Sequence, residues 1–242
     1  MLRVLLISEH KLLRQGLSRL LRDDNSPESV TETESGEEAL EQLRVMRPDV
    51  ILLHVAHPVG TRIRVLHLLR EKAPAIPVVV LLDLIDDEVM LTAMQAGASG
   101  CLDKTVDAGY LVQSLHDAAS GEMALSERLA RRLARIVSES GKDGARQPFP
   151  DALTRREIEV LAFLCHGLTN HEIARSLFIS DSTVRAHLRT VTQKLGVHNR
   201  AHAVARALEL GMVPTPSPPS SQGAAQYGRQ GLASPIHSSI HN

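Results

Sequence analysis

The sequence predicts an α/β domain with a doubly wound, five-stranded parallel sheet, followed by a small all-α domain of four helices. Three observations carry that prediction. Short apolar runs at 4–7 (VLLI), 50–55 (VILLHV) and 78–82 (VVVLL) are rich in branched residues and are separated by amphipathic stretches, the pattern of buried parallel strands joined by helical crossovers. From Leu153 the apolar spacing becomes purely helical, with start and stop signals at short intervals. Between the two regions, residues 140–150 (SGKDGARQPFP) have the composition of a linker.

The elements follow in order. Leu12, Leu13, Leu17, Leu20 and Leu21 mark a first helix, a weaker strand is expected near 29–33, and Ala39, Leu40 and Leu43 mark a second helix. Pro48, Pro74 and Pro77 stand just before the strong strands, where proline can close a helix and begin an extended segment. Five βα units fit before residue 121. Residues 126–138 (SERLARRLARIVS) have the spacing of a connecting helix. After Gly211 the composition turns to Pro, Ser, Gly, Gln and His, which buries too little apolar surface to offset chain entropy. The expected division is therefore 1–121, an α/β domain; 122–150, a connecting helix and linker; 151–213, the helical domain; and 214–242, a disordered tail.

With 242 residues and 43% hydrophobic content, the chain can bury a real core. No apolar run approaches the roughly 18 residues of a membrane span, and the first run ends at Ser8, Glu9 and His10, so a cytoplasmic chain without membrane contact is expected. Cys101 and Cys165 lie in different domains and in no CxxC pattern, which points to core packing and to neither metal nor disulfide. No cofactor is implied. Charge is uneven: residues 1–146 carry 18 Lys/Arg and 22 Asp/Glu, whereas 147–213 carry 8 and 6 together with five histidines. The sequence contains no GxGxxG, P-loop or G-x-S-x-G, so an enzyme is not expected.

The helical region reads LTRREIEVLAFLCHGLTNHEIARSLFISDSTVRAHLRTVTQKLGVHNRAHAVARALELG from Leu153. Thr154 with Glu157 and Thr169 with Glu172 are capping boxes, and Gly167, Gly196 and Gly211 stand where helices should stop. Phe178 to Ser180 form a turn, and Ser180 or Asp181 caps the next helix. On that helix Val184, Leu188, Val191 and Leu195 make the buried stripe, while Arg185, Arg189 and Thr192 run along the other side. Two arginines one turn apart beside small Ala186 suit a major groove, because a guanidinium can donate two bonds to a guanine edge. Ser182 and Thr183 at the helix start suit phosphate contacts. His187 borders the buried stripe, and Lys194 ends the same helix.

These motifs, L-T-x-R-E-x-E-V-L, G-x-[ST]-N-x-E-I-A, I-S-x-x-T-V-x-x-H and K-L-x-[VA], closely resemble the C-terminal domain of the LuxR/NarL family over about 58 residues. The resemblance implies a four-helix fold, recognition of double-stranded DNA by the helix at about 181–194, and homodimerisation through the last helix, roughly 200–210. The expected DNA-binding residues are Ser182, Thr183, Arg185, Ala186, His187, Arg189 and Lys194. Departures are modest: His171 and Thr190 replace the usual Lys or Arg and Asn.

Residues 1 to about 121, with RPDVILL, Pro58 and QAGASGCLDK, resemble the receiver domain of two-component response regulators. The resemblance implies a flavodoxin-like sheet with a phosphoryl-accepting aspartate at the end of the third strand. His54 stands there instead. The Mg²⁺-holding acidic pair corresponds to Ser8 and Glu9, the switch Ser/Thr to Leu82, the switch aromatic to Cys101, and the remaining motif to Lys104. Ser8, Glu9, His54, Leu82 and Lys104 thus form a degenerate phosphorylation pocket, and no metal is expected. The reading that follows is a DNA-binding regulator controlled through dimerisation, or through a small-molecule or protein ligand of this domain. The other function class is a protein-binding regulator whose helix-turn-helix works mainly through protein contacts.

Overall fold

The computed structural model describes residues 1–22, 29–56, 60–140 and 153–210. Strands β1 (Arg3–Ile7), β2 (Ser29–Thr33), β3 (Val50–Val55), β4 (Val78–Leu82), β5 (Gly100–Asp103) and β6 (Ala124–Leu125) form one sheet in the order β2-β1-β3-β4-β5-β6, with every pairing parallel. All residues of β3 and β4 are buried, as a parallel sheet covered on both faces requires. The expectation of five strands falls short by one. The sixth is a two-residue strand, too short for alternation to be read. Gly100 allows its approach: a Cβ there would meet the Ala124 carbonyl oxygen at 2.1 Å.

Helices α1 (Lys11–Leu21), α2 (Gly36–Val45), α3 (Gly60–Lys72), α4 (Asp87–Gln95), α5 (Ala108–Ala119) and α6 (Glu127–Ser140) complete the first domain. Strand alternation divides its core. Val4, Leu6, Leu52, Val79 and Leu81 face Leu17 and Leu21 of α1 and Leu111 and Leu115 of α5. Leu5, Ile7, Leu53 and Val80 face α2, α3 and α4. The stripe of α1 is narrower than its leucine pattern suggests, since Leu12 is 86% exposed. The connecting helix α6 buries Leu129, Leu133 and Val137 and is tied to α4 by Asp87, which accepts from Arg132 Nε and, at 2.9 Å, from Arg135 Nη2.

Helices α7 (Arg155–Cys165), α8 (Asn170–Leu177), α9 (Asp181–Lys194) and α10 (Arg200–Glu209) form the second domain. Its core is continuous with the α4 side of the sheet, because α10 packs against α4 as well as against α7 and α9. Cys101 and Cys165 are free and fully buried, and burial pushes both thiols up to about 12, so they act as apolar packing groups. No helix among the described residues is long and apolar enough to cross a membrane. Of the expected linker at 140–150, Ser140 is the last residue of α6 and 141–150 lie outside the described residues, as do the tail at 214–242 and the Pro58 position.

Candidate nucleic-acid interface and the strand-end pocket

Both capping boxes form. Thr154 Oγ1 accepts from Glu157 N and Glu157 Oε2 accepts from Thr154 N at 2.7 Å; Thr169 and Glu172 repeat the arrangement at the start of α8. The turn between α8 and α9 needs a left-handed residue, and Phe178 supplies it at φ 54° while standing 60% exposed. Ser180 then caps α9, its Oγ accepting from Thr183 N at 3.1 Å. Val184, Leu188 and Val191 are buried, which fixes the rotation of α9 and turns Arg185, Ala186 and Arg189 to solvent. Neither guanidinium makes a hydrogen bond or ion pair with any described residue. Their Cα atoms are about 6 Å apart along the axis, close to one helical turn.

The remaining expected residues divide. Ser182 is exposed at the positive end of the helix, Thr183 is half-buried with its hydroxyl 2.8 Å from Ser180 Oγ, and His187 is half-buried beside the core stripe. Lys194 is engaged within the domain. Its Nζ lies 2.7 Å and 3.1 Å from the two carboxylate oxygens of Glu157, which is itself buried at the start of α7. Burial would raise the Glu157 carboxyl, but the bonds from Lys194 and from Thr154 outweigh it and hold it below its usual range. A buried capping carboxylate needs a counter-charge, so Lys194 clamps α9 to α7. Arg175, which motif matching passed over, is exposed on α8 near the turn.

At the carboxyl ends of the strands Ser8, His54, Asp83 and Lys104 form one chain. Ser8 Oγ lies 3.0 Å from His54 Nδ1, His54 Nε2 lies 2.6 Å from Asp83 Oδ1, and Lys104 Nζ pairs with the same Asp83 oxygen. Neutral imidazole satisfies this arrangement: Nε2–H donates to Asp83, Nδ1 accepts the Ser8 hydroxyl, and Ser8 Oγ accepts from His10 N at 3.2 Å. Burial pushes His54 down against the pull of Asp83. For Asp83 burial acts upward, but Lys104 and His54 prevail and keep it ionised below the ordinary carboxylate range. The His10 ring packs edge-on to His54 with centroids 5.0 Å apart.

Leu82 does not belong to this pocket. It is in register with Val55 and packs in the core on the α4 side, one residue out of phase with His54, so the side chain that enters is Asp83. Glu9 is exposed. The hydroxyl–imidazole–carboxylate order is that of a nucleophilic triad, but Ser8 is fully buried beneath His10 and presents Oγ to no substrate. The donors also do not suit Mg²⁺, which prefers carboxylate and water oxygens: an imidazole fills the end of β3, and Asp83 is already neutralised by Lys104. Among the described residues no cluster of three or more His, Cys, Asp or Glu is placed to hold a metal.

Between the domains, Glu122 in the loop after α5 reaches the starts of two helices. Its carboxylate pairs with Arg200 Nη1 of α10 and accepts from Asn170 Nδ2 of α8. Arg200 Nη2 donates to the Leu168 carbonyl at 2.8 Å, and Asn199 Nδ2 donates to the Gly97 carbonyl at 2.8 Å. The helix to which the resemblance assigns dimerisation is therefore covered by α4, while the arginine face of α9 remains open.

Residues 4–116 match the model of the response regulator receiver domain, and 151–207 match that of bacterial regulatory proteins of the luxR family. The chain is 31% identical over 225 residues to the transcriptional regulatory protein DegU of Brevibacillus brevis, covering 88% of this chain and 95% of that one. It is 34% identical over 200 residues to the nitrate/nitrite response regulator protein NarL of Escherichia coli K12, covering 83% and 92%. Among solved structures, a two-component response regulator of the LuxR family from Aurantimonas sp. aligns with a TM-score of 0.51 and 25% identity, over 56% of this chain and 96% of that one. Two RcsB dimers bound to two parallel DNAs give a TM-score of 0.50 at 20% identity, over 88% and 99%, a likeness of fold.

Proposed function

The chain belongs to the response regulators of the LuxR/NarL kind, whose members are DNA-binding transcriptional regulators, and from that premise we propose that it reads a specific DNA site without aspartyl phosphorylation. The observation that carries the proposal is the closed chain Ser8–His54–Asp83–Lys104. A receiver that accepts a phosphoryl group needs a free carboxylate, a metal and an available lysine. Here imidazole occupies the acceptor position, and the lysine is already paired. The network is neutral overall and fully hydrogen-bonded, a state that a transferred phosphoryl group would have to break.

DNA recognition falls to α9, with Arg185 and Arg189 reading base edges, Ser182 and Thr183 at the helix start contacting phosphate, and Arg175 adding a phosphate contact from α8. Dimerisation through α10 places two recognition helices on half-sites about one helical turn apart. In the docked arrangement α10 is occupied by α4, so control lies in the equilibrium between docked and undocked domains. The exposed arginine face favours DNA over a purely protein-binding role.

Treating the full chain with acetyl phosphate and Mg²⁺ and measuring its intact mass is expected to give no stable phosphoryl adduct. An acyl phosphate on Asp83 or any other receiver carboxylate would contradict the proposal.

A further inference from the structure

The cleft between the domains contains a cavity of about 260 Å³ lined by Arg70, Ser99, Glu122, His198, Asn199 and Arg200, among others. Two of these are arginines only 6% exposed, and each has an Nε with no hydrogen-bond partner in the structure. Arg200 has Glu122 as counter-charge. Arg70 donates from Nη1 to the Ile76 carbonyl at 3.0 Å and faces no carboxylate among the described residues. A buried cation without an anion is costly, and the lining as a whole carries an excess of positive charge.

Independent features point the same way. The cavity touches the first residues of α10, where the helix dipole favours an anion. Ser99 Oγ accepts from Asn199 Nδ2 at 3.5 Å and keeps its own proton to donate. His202, one turn into α10, is pushed down to about 4, first by burial and then by neighbouring cations that include Arg206 and Arg70, against the opposing pull of Glu209. The volume lies below the roughly 300–1,000 Å³ of pockets that hold drug-sized ligands, and donors from three separate elements suit a tetrahedral oxyanion better than one planar carboxylate.

We infer that this cleft binds a small phosphate-type oxyanion, either the free ion or the phosphoryl end of a compact metabolite. Bound there, the anion touches α3 and the β5 entrance on one side and α10 on the other. It therefore holds the domains in the docked arrangement. The inference rests on that arrangement and not on the reading of DNA recognition, so its test uses no DNA.

The test titrates the full chain with inorganic phosphate, and separately with glycerol 3-phosphate, at constant ionic strength balanced by chloride, following heat of binding and melting temperature. Saturable binding at one site per chain is expected, weakened at least fivefold in Ser99→Ala and abolished in Arg70→Met. Ser99→Ala removes one hydroxyl and keeps the inference testable if Arg70→Met fails to fold. Stronger binding of inorganic phosphate assigns the free ion, and stronger binding of glycerol 3-phosphate assigns a phosphorylated metabolite; either supports the site. A response to neither, or binding of equal strength in both variants, overturns it.

Discussion

Replacing Arg185 and Arg189 together with alanine is expected to weaken binding of the full chain to its cognate site by about thirtyfold or more. Each guanidinium that is bidentate to guanine contributes about 1–3 kcal/mol of discrimination, and each 1.4 kcal/mol is a factor of ten. The two side chains stand one turn apart on an exposed face that the buried Val184, Leu188 and Val191 hold in place, so their removal leaves the fold intact. The measurement is fluorescence anisotropy on cognate and scrambled duplexes across a salt series, with the single variants closing a double-mutant cycle. A loss confined to the cognate site assigns base reading. An equal loss on both duplexes, with a salt slope shallower by about one for each arginine, would assign them to phosphates instead.

The second large effect is expected at the domain boundary. Glu122→Gln keeps an acceptor for Asn170 but leaves Arg200, whose side chain is 5% exposed, without its counter-charge. Breaking a buried pair by removing one partner costs about 3–5 kcal/mol. Because the Glu122 side chain is 24% exposed, about 1–3 kcal/mol is the better expectation here. That cost falls on the docked state and shifts the domain equilibrium toward the undocked one by roughly five- to 150-fold. Apparent DNA affinity then rises in proportion to the newly available fraction until all molecules are undocked. Sedimentation equilibrium should show more dimer at equal concentration, and anisotropy should show tighter binding. Unchanged dimerisation and affinity would mean that docking of α10 on α4 does not restrain the protein.

Much of this arrangement was legible in the sequence, for identifiable reasons. Strands β3 and β4, apolar except for His54, must be covered on both faces, and the two T-x-x-E boxes mark helix starts whose hydrogen bonds form as expected. Properties of local pattern were therefore readable. The residues that escaped depend on contacts far apart in the chain. Lys194 reads as a basic residue ending a recognition helix, but it answers Glu157 across 37 residues. Glu122 carries no local signature, and it joins two helix starts in the other domain.

The pocket is an intermediate case, because the information was present in the pleat. His54 lies in register with Leu81, so the next side chain on that face of β4 is two residues on, at Asp83. Leu82, to which the resemblance assigns the switch position, is one residue away from Asp83, and a one-residue step along a strand moves a side chain to the opposite face. Strand parity identifies Ser8, His54, Asp83 and Lys104 as one set.

The most direct test of sequence-specific recognition without phosphorylation is selection of bound duplexes from a random library. It uses the full chain and Glu122→Gln in parallel, with no phosphodonor present. Both proteins should enrich the same near-palindromic motif, with half-sites about one helical turn apart, and Glu122→Gln should enrich it more strongly. Failure of both to enrich any motif would contradict the account and leave the protein-binding reading of the helix-turn-helix in its place.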